Sequence, residues 1–249
     1  MLGVVGLLGI AASAAAAPWL LVLDPGHGGV HEGAVGPMGA KEKDLALQIS
    51  KQVAALAEAQ LPVKTLFTRE GDRDVQLEDR VAFANRKHAN LFISIHLNSM
   101  PTEESRRLVK GVETYFLSAN PSDASADAQA ARENLDALQT RSPGKRRDVD
   151  LILNDLALTA AQADSSRLAY AIHEKLVTAT GGADRGIHQA PFFVLTGAHM
   201  PAVLLELGFI SNPEEEQKLR APAYQRALAQ AIVDGIKEYR KVVAPHGGG

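Results

Sequence analysis

The apolar residues divide the chain into short buried runs and longer amphipathic stretches. Residues 19–23 (Trp-Leu-Leu-Val-Leu) form an unbroken apolar run between Pro18 and Asp24-Pro25-Gly26, which predicts a buried strand with a hard stop. From 42 to 59, Leu45, Ile49, Val53 and Leu56 trace one stripe of a helix. Residues 63–67 are a second strand, Leu77, Val81 and Ala84 mark a second helix, and 91–95 form a third strand. Strands alternating with helices imply a largely parallel sheet, because each crossover lays a helix on one face. Residues 111–117 read as another strand, with little room for a helix before it, and two more strands are expected at 192–195 and 202–207. Asn212-Pro213 followed by three glutamates opens a helix, with proline at the first position and acid in the first turn. Leu228, Ile232 and Ile236 line a closing helix.

The stretch 119–163 breaks this rhythm. It is rich in Ala, Ser, Asp, Arg and Gln, with a kink at Ser142-Pro143-Gly144 and a basic patch at Lys145, Arg146 and Arg147. It predicts an Ala-rich helix near 124–140, a loop, and a helix from about 149 whose face Leu168, Ile172 and Leu176 extend. At the N-terminus, residues 2–17 are apolar or small apart from Ser13 and end in an alanine run. That is the pattern of a secretory signal, too short for a membrane span of about 20 residues. Removal of residues 1–17 leaves one expected domain, 18–243, with no membrane span, and a tail, 244–249, expected to be disordered.

Composition narrows the chemistry. With 249 residues, 46% hydrophobic and 22% charged, the chain can bury an ordinary core. A formal net charge of -3 and the lack of a long basic run argue against a nucleic-acid partner. There is no cysteine, so any metal must be held by histidines and carboxylates. His27 follows the first strand with glycine on both sides, and His96 closes the third; ligand sites in open α/β sheets gather beyond such strand ends. Glu42 opens the first helix, and the Gly-rich loop 28–39 lets it fold back toward them. His27, Glu42 and His96 together make a His₂Glu set that leaves one tetrahedral position open, as catalytic zinc requires.

Glu206 lies inside the apolar run 202–207, where a carboxylate is costly unless paired or placed beside a metal. There it could carry a proton to and from a reacting group. Each residue alone also has a plainer reading, such as a solvated turn histidine or a first-turn acid favoured by the helix dipole. A phosphate cradle at Gly26-His27-Gly28-Gly29 finds no support, since neither Gly-Lys-Ser/Thr nor G-x-G-x-x-G is present. His31 is near enough to His27 to be a stray ligand; the remaining histidines read as surface or loop residues.

The residues Leu23-Asp24-Pro25-Gly26-His27-Gly28-Gly29, Glu42-Lys43-Asp44, Thr68-Arg69, Ser94-Ile95-His96, Gly111-Val112-Glu113 and Leu205-Glu206-Leu207-Gly208-Phe209, in this order, resemble the zinc-dependent N-acetylmuramoyl-L-alanine amidases of amidase type 3. The resemblance implies an α/β fold: a mixed, largely parallel sheet of about six strands flanked by helices on both faces, with 119–163 as an inserted helical segment. It implies one zinc ion bound by His27, Glu42 and His96, Glu206 as the catalytic glutamate, and hydrolysis of the amide between N-acetylmuramic acid and L-alanine in peptidoglycan, in the periplasm or outside the cell. Family members that separate daughter cells carry a helix that covers the zinc until a LytM-type activator removes it. Ala131-Arg132-Glu133-Asn134-Leu135 resembles that helix, which makes Glu133 the expected inhibitory ligand. The rival expectations are a metallohydrolase of the same fold cutting another peptidoglycan amide, and a non-catalytic metal-bearing module that binds the wall.

Overall fold

The computed structural model describes residues 17–135 and 160–243. The signal segment expected at the N-terminus, the basic patch and the C-terminal tail lie outside them. Six strands form one sheet in the order β2-β1-β3-β6-β4-β5. They are β1 (Trp19–Pro25), β2 (Val63–Phe67), β3 (Leu91–Asn98), β4 (Val112–Leu117), β5 (Asp184–Ala190) and β6 (Ala202–Phe209). β2, β1, β3 and β6 run parallel, while β4 pairs antiparallel with β6 and parallel with β5. The helices are α1 (Glu42–Gln60), α2 (Leu77–Arg86), α3 (Glu103–Leu108), α4 (Ala124–Glu133), α5 (Ala160–Thr180), α6 (Pro213–Leu219) and α7 (Pro222–Val243). Among the described residues, no helix is long and apolar enough to cross a membrane.

The side-chain alternation of the strands splits the core in two. Leu21, Leu23, Ile93, Ile95, Val203 and Leu205 point toward α1, α5 and α7 and make the larger cluster. Val22, Phe92, Ala202 and Leu204 point the other way, toward Val81 and Ala84 of α2 and Ala126 and Ala130 of α4. By the same alternation, Asp24, Ser94, His96 and Glu206 fall on the second face, the one that α4 covers.

Three expectations are corrected. Residues 193–195 form a 3₁₀ turn, not a strand; Phe192, Val194 and Leu195 are apolar because they fill the core beside α2. The sixth strand is β5, an edge strand whose residues are mostly half-buried and which therefore carries no apolar run. The short α3 does precede β4, capped by Thr102, whose side chain accepts from the Ser105 amide. His173 also departs from its surface reading. It is buried on α5 between Thr114 Oγ1 (3.0 Å from Nδ1) and Asp184 Oδ1 (2.9 Å from Nε2), and so ties α5 to β4 and β5.

Candidate active site

The first strand ends in a turn that two buried arginines hold by its carbonyls. Arg69 donates to the carbonyls of Pro25 (3.0 Å) and Gly26 (2.7 Å), and Arg80 to those of Pro25 (2.9 Å) and His27 (2.8 Å). Burial, and then the charge of Arg80, push the Arg69 guanidinium down to about 10. Asp24 compensates. Its carboxylate accepts from Arg80 Nη1 (2.9 Å), Ser94 Oγ (2.8 Å) and Thr68 Oγ1 (2.5 Å), all within the core. This network forces His27 into a left-handed conformation (φ 57°) and aims its ring across the strand ends. Replacing Asp24 by alanine would strand the Arg80 charge in the interior. Such a loss costs about 3–5 kcal/mol, and chemical denaturation should report a lower midpoint of unfolding for D24A.

Glu42 arrives by a second route. The loop before α1 folds back on itself: Glu42 N–H donates to Ala34 O (2.9 Å), and Ala34 N–H donates to Glu42 Oε2 (2.8 Å). Glu216 of α6 fixes the base of this loop by accepting from the amides of Met38 (2.6 Å) and Ala40 (2.8 Å). Gly33 lies at φ 68°, and a Cβ there would meet Glu42 Oε2 and His27 Cδ2 at 2.5 Å. Only glycine lets the backbone pass so close to both side chains. Gly26 is pressed as tightly against the His96 ring, 2.4 Å from a built Cβ to Cε1.

The structure brings His27, Glu42, His96 and Glu133 together, with one potential ligand atom from each lying within 4.8 Å of the others. His27 Nε2 is 3.1 Å from Glu42 Oε2 and 3.4 Å from Glu133 Oε2; His96 Nδ1 is 3.0 Å from Glu42 Oε1 and 3.0 Å from Glu133 Oε2. Ligands around a tetrahedral zinc with bonds of about 2.0 Å stand about 3.3 Å apart, so the spacing fits a metal of that size. The charges agree. Burial alone would raise the Glu42 carboxyl, yet the His27 and His96 rings hold it well below the usual carboxylate range. Glu133, opposed by burial, is held down to about 2 by His96 and His27. Burial opposes the charge on His96 too, but Glu133 and Glu42 push it up to about 10. Two ionised carboxylates thus converge where positive charge is required. His31 is not part of this group; its Nε2 lies 3.8 Å from Asp74 Oδ2.

Glu206 stands opposite His96 in the β3–β6 register and opposite Glu113 in the β4–β6 register. It is fully buried. Oε1 accepts from Gln129 Nε2 (2.5 Å), and Oε2 has no hydrogen-bond partner among the described residues. Burial first, then the Glu133 carboxylate, raise its pKa well above the ordinary value. With α4 in place, burial and the Glu133 carboxylate thus disfavour the ionised form of Glu206.

Gln129 and Arg132 are the site residues that sequence reasoning missed. Arg132 donates to Gln129 Oε1 and to Asn98 Oδ1 (3.3 Å), and Gln129 Nε2 also reaches Glu133 Oε1 (3.1 Å). A signal for them existed: Gln129, Arg132 and Glu133 sit at i, i+3 and i+4, so they share one face of a helix otherwise rich in alanine. Beside the cluster opens a cavity of about 450 Å³ lined by residues including His27, Glu42, Leu97, Arg132 and Glu133.

A candidate metal site at the carboxyl ends of parallel strands, with one more buried carboxyl beside it, is the plan of a metal-dependent α/β hydrolase. Comparison with known proteins narrows this class to one family. The chain belongs to the Amidase_3 family, described as N-acetylmuramoyl-L-alanine amidase, whose profile matches residues 21–238. It is 34% identical over 224 residues to N-acetylmuramoyl-L-alanine amidase AmiC of Escherichia coli O6:H1, a match covering 89% of this chain and 53% of that protein. It is also 34% identical over 223 residues to AmiA of Escherichia coli K12, covering 88% of this chain and 75% of that protein. The chain thus spans about half the length of AmiC and three-quarters that of AmiA. The crystal structure of an N-acetylmuramoyl-L-alanine amidase from Clostridium difficile 630 superposes with a TM-score of 0.69 at 29% identity, over 92% of this chain and all of that one.

Proposed function

We propose that this chain hydrolyses the amide between the lactyl group of N-acetylmuramic acid and the L-alanine of the stem peptide in peptidoglycan, using one zinc ion held by His27, Glu42 and His96. The convergence of four ligating groups beside the buried Glu206 carries this reading, and membership of the family supplies the substrate. When bound, zinc supplies Lewis-acid polarisation of the scissile carbonyl and acidifies the attacking water. The other steps belong to the chain. Glu206 takes the proton from the water and returns it to the alanine nitrogen as the C–N bond breaks. The arginine-held turn and the glycine contacts keep both imidazoles in place, so little is spent on reorganisation during attack. Incubation with purified peptidoglycan should release stem peptides with new L-alanine amino termini; products with only other new termini would reject the assignment.

The described arrangement is a covered one. Glu133 lies beside both imidazoles, where substrate and water would have to approach a bound metal, and Gln129 binds the carboxyl of Glu206. We read α4 as a self-inhibitory helix with Glu133 as the inhibitory ligand. A partner of the LytM type would release it, on the cell-wall side of the membrane, during wall remodelling or daughter-cell separation.

A further inference from the structure

Asn98 lies two residues beyond His96 on β3, so the two side chains share the face of the sheet that carries the site. The β3–β6 register shifts between His96 and Asn98; irregularities of this kind re-aim a side chain beside an active site. The orientation of the Asn98 amide is dictated from below. Its Nδ2 donates to Glu113 Oε2 at 2.7 Å. The Glu113 oxygen accepts in this pair, so the NH₂ end of Asn98 faces Glu113 and its oxygen faces away. Glu113 is itself fixed by Tyr115 OH (2.8 Å) and by Arg185 Nε (2.7 Å).

The Asn98 oxygen accepts from its neighbour Ser99 N–H (2.7 Å) and from Arg132 (3.3 Å). Arg132 belongs to the covering helix. When that helix leaves, a buried, rigidly held acceptor faces the space where substrate binds. Its contacts place Asn98 on the Glu206 side of the site: Arg132 bridges Asn98 to Gln129, which binds Glu206, and Glu113, which holds Asn98, stands opposite Glu206 in the β4–β6 register. Glu206 is where the alanine nitrogen receives its proton, so Asn98 continues on the leaving-group side.

We propose that Asn98 is a substrate-binding residue that accepts a hydrogen bond from the stem peptide's first backbone N–H beyond L-alanine. Arg132 is its stand-in while α4 is in place, and Glu113 is a positioning residue that acts through Asn98. The inference rests on the amidase reading above. The test uses the full chain with Glu133→Ala to loosen the cover, and two substrates: a muramyl peptide, and its analogue in which an ester oxygen replaces that N–H. On the amide substrate, Asn98→Ala should lower kcat/KM about tenfold, the range for losing one such bond, mainly through KM and with zinc content unchanged. On the ester, the parent and Asn98→Ala should perform alike. Glu113→Gln should reproduce the loss on the amide, and N98D combined with E113Q, which reverses the donor and acceptor of the pair, should recover it. Equal kcat/KM for parent and Asn98→Ala on the amide overturns the assignment. So does an equal loss on both substrates, which would mark a structural role. A parent that cleaves neither substrate overturns the amidase reading, and this assignment falls with it.

Discussion

Replacing Glu206 by glutamine should lower turnover by about a hundredfold to ten-thousandfold, the range for losing a positioned proton carrier, while zinc content stays at the parent's level. The comparison belongs in a background with a loosened cover, so that the parent is measurably active. Glutamine preserves the size of the side chain and removes only its ability to take a proton. The metal should remain because Glu206 lies outside the group formed by His27, Glu42, His96 and Glu133. Stability should hold or improve slightly, since burial already disfavours the ionised carboxyl. Metal analysis and peptidoglycan release, measured on the same preparation, separate the possibilities. Loss of zinc in E206Q would make Glu206 a ligand, and unchanged release would remove it from the mechanism.

The second large effect runs in the opposite direction. Glu133→Ala and Gln129→Ala should each raise basal hydrolysis. Glu133 makes charge-assisted contacts with both imidazoles, and bonds to charged groups are worth about 1.5–3 kcal/mol. If that difference holds the covered state, removing it multiplies the open population, and hence the rate, by about ten to a hundred. Gln129→Ala removes the contact with Glu206 and leaves the ligand cluster whole, so its gain should be smaller. The double variant should exceed either single one. Soluble muramyl peptide is the appropriate substrate, because it reports access to the site without any step of binding to the intact wall. A fall in rate for both single variants would make α4 part of the working site and not its cover.

Much of this was legible in the sequence. β1, β3 and β6 announce themselves as apolar runs because both faces of a central strand are covered. β5 does not, since an edge strand with half-buried side chains needs no such run. The apolar residues at 192–195 misled for the converse reason: they fill a core without pairing in the sheet. Four residues of the site, His27, Glu42, His96 and Glu206, could be named because strand ends and a helix start place them. Glu133 was reachable only through family resemblance. Its neighbours Gln129 and Arg132 lie on one side of an alanine-rich helix, and nothing local says that this side faces a sheet. That fact follows from the reversed direction of β4, which sends the chain away from the site and obliges α4 to come back toward it.

The returning helix has a mechanical consequence. Its start is held against β5, where Ser122 N–H donates to Gln189 O (2.9 Å), and its end by Asn134, which binds the carbonyl of Pro191 and the amide of Phe193. A pull on the chain beyond Leu135 therefore acts on the Asn134 clamp first. It then reaches Glu133, Arg132 and Gln129 in turn, so the contacts rupture one after another, as in peeling tape, and never bear the load together. Detachment by such a tug needs far less force than sliding the whole rod along the sheet. It would also uncover the His27, Glu42 and His96 cluster before it freed Glu206.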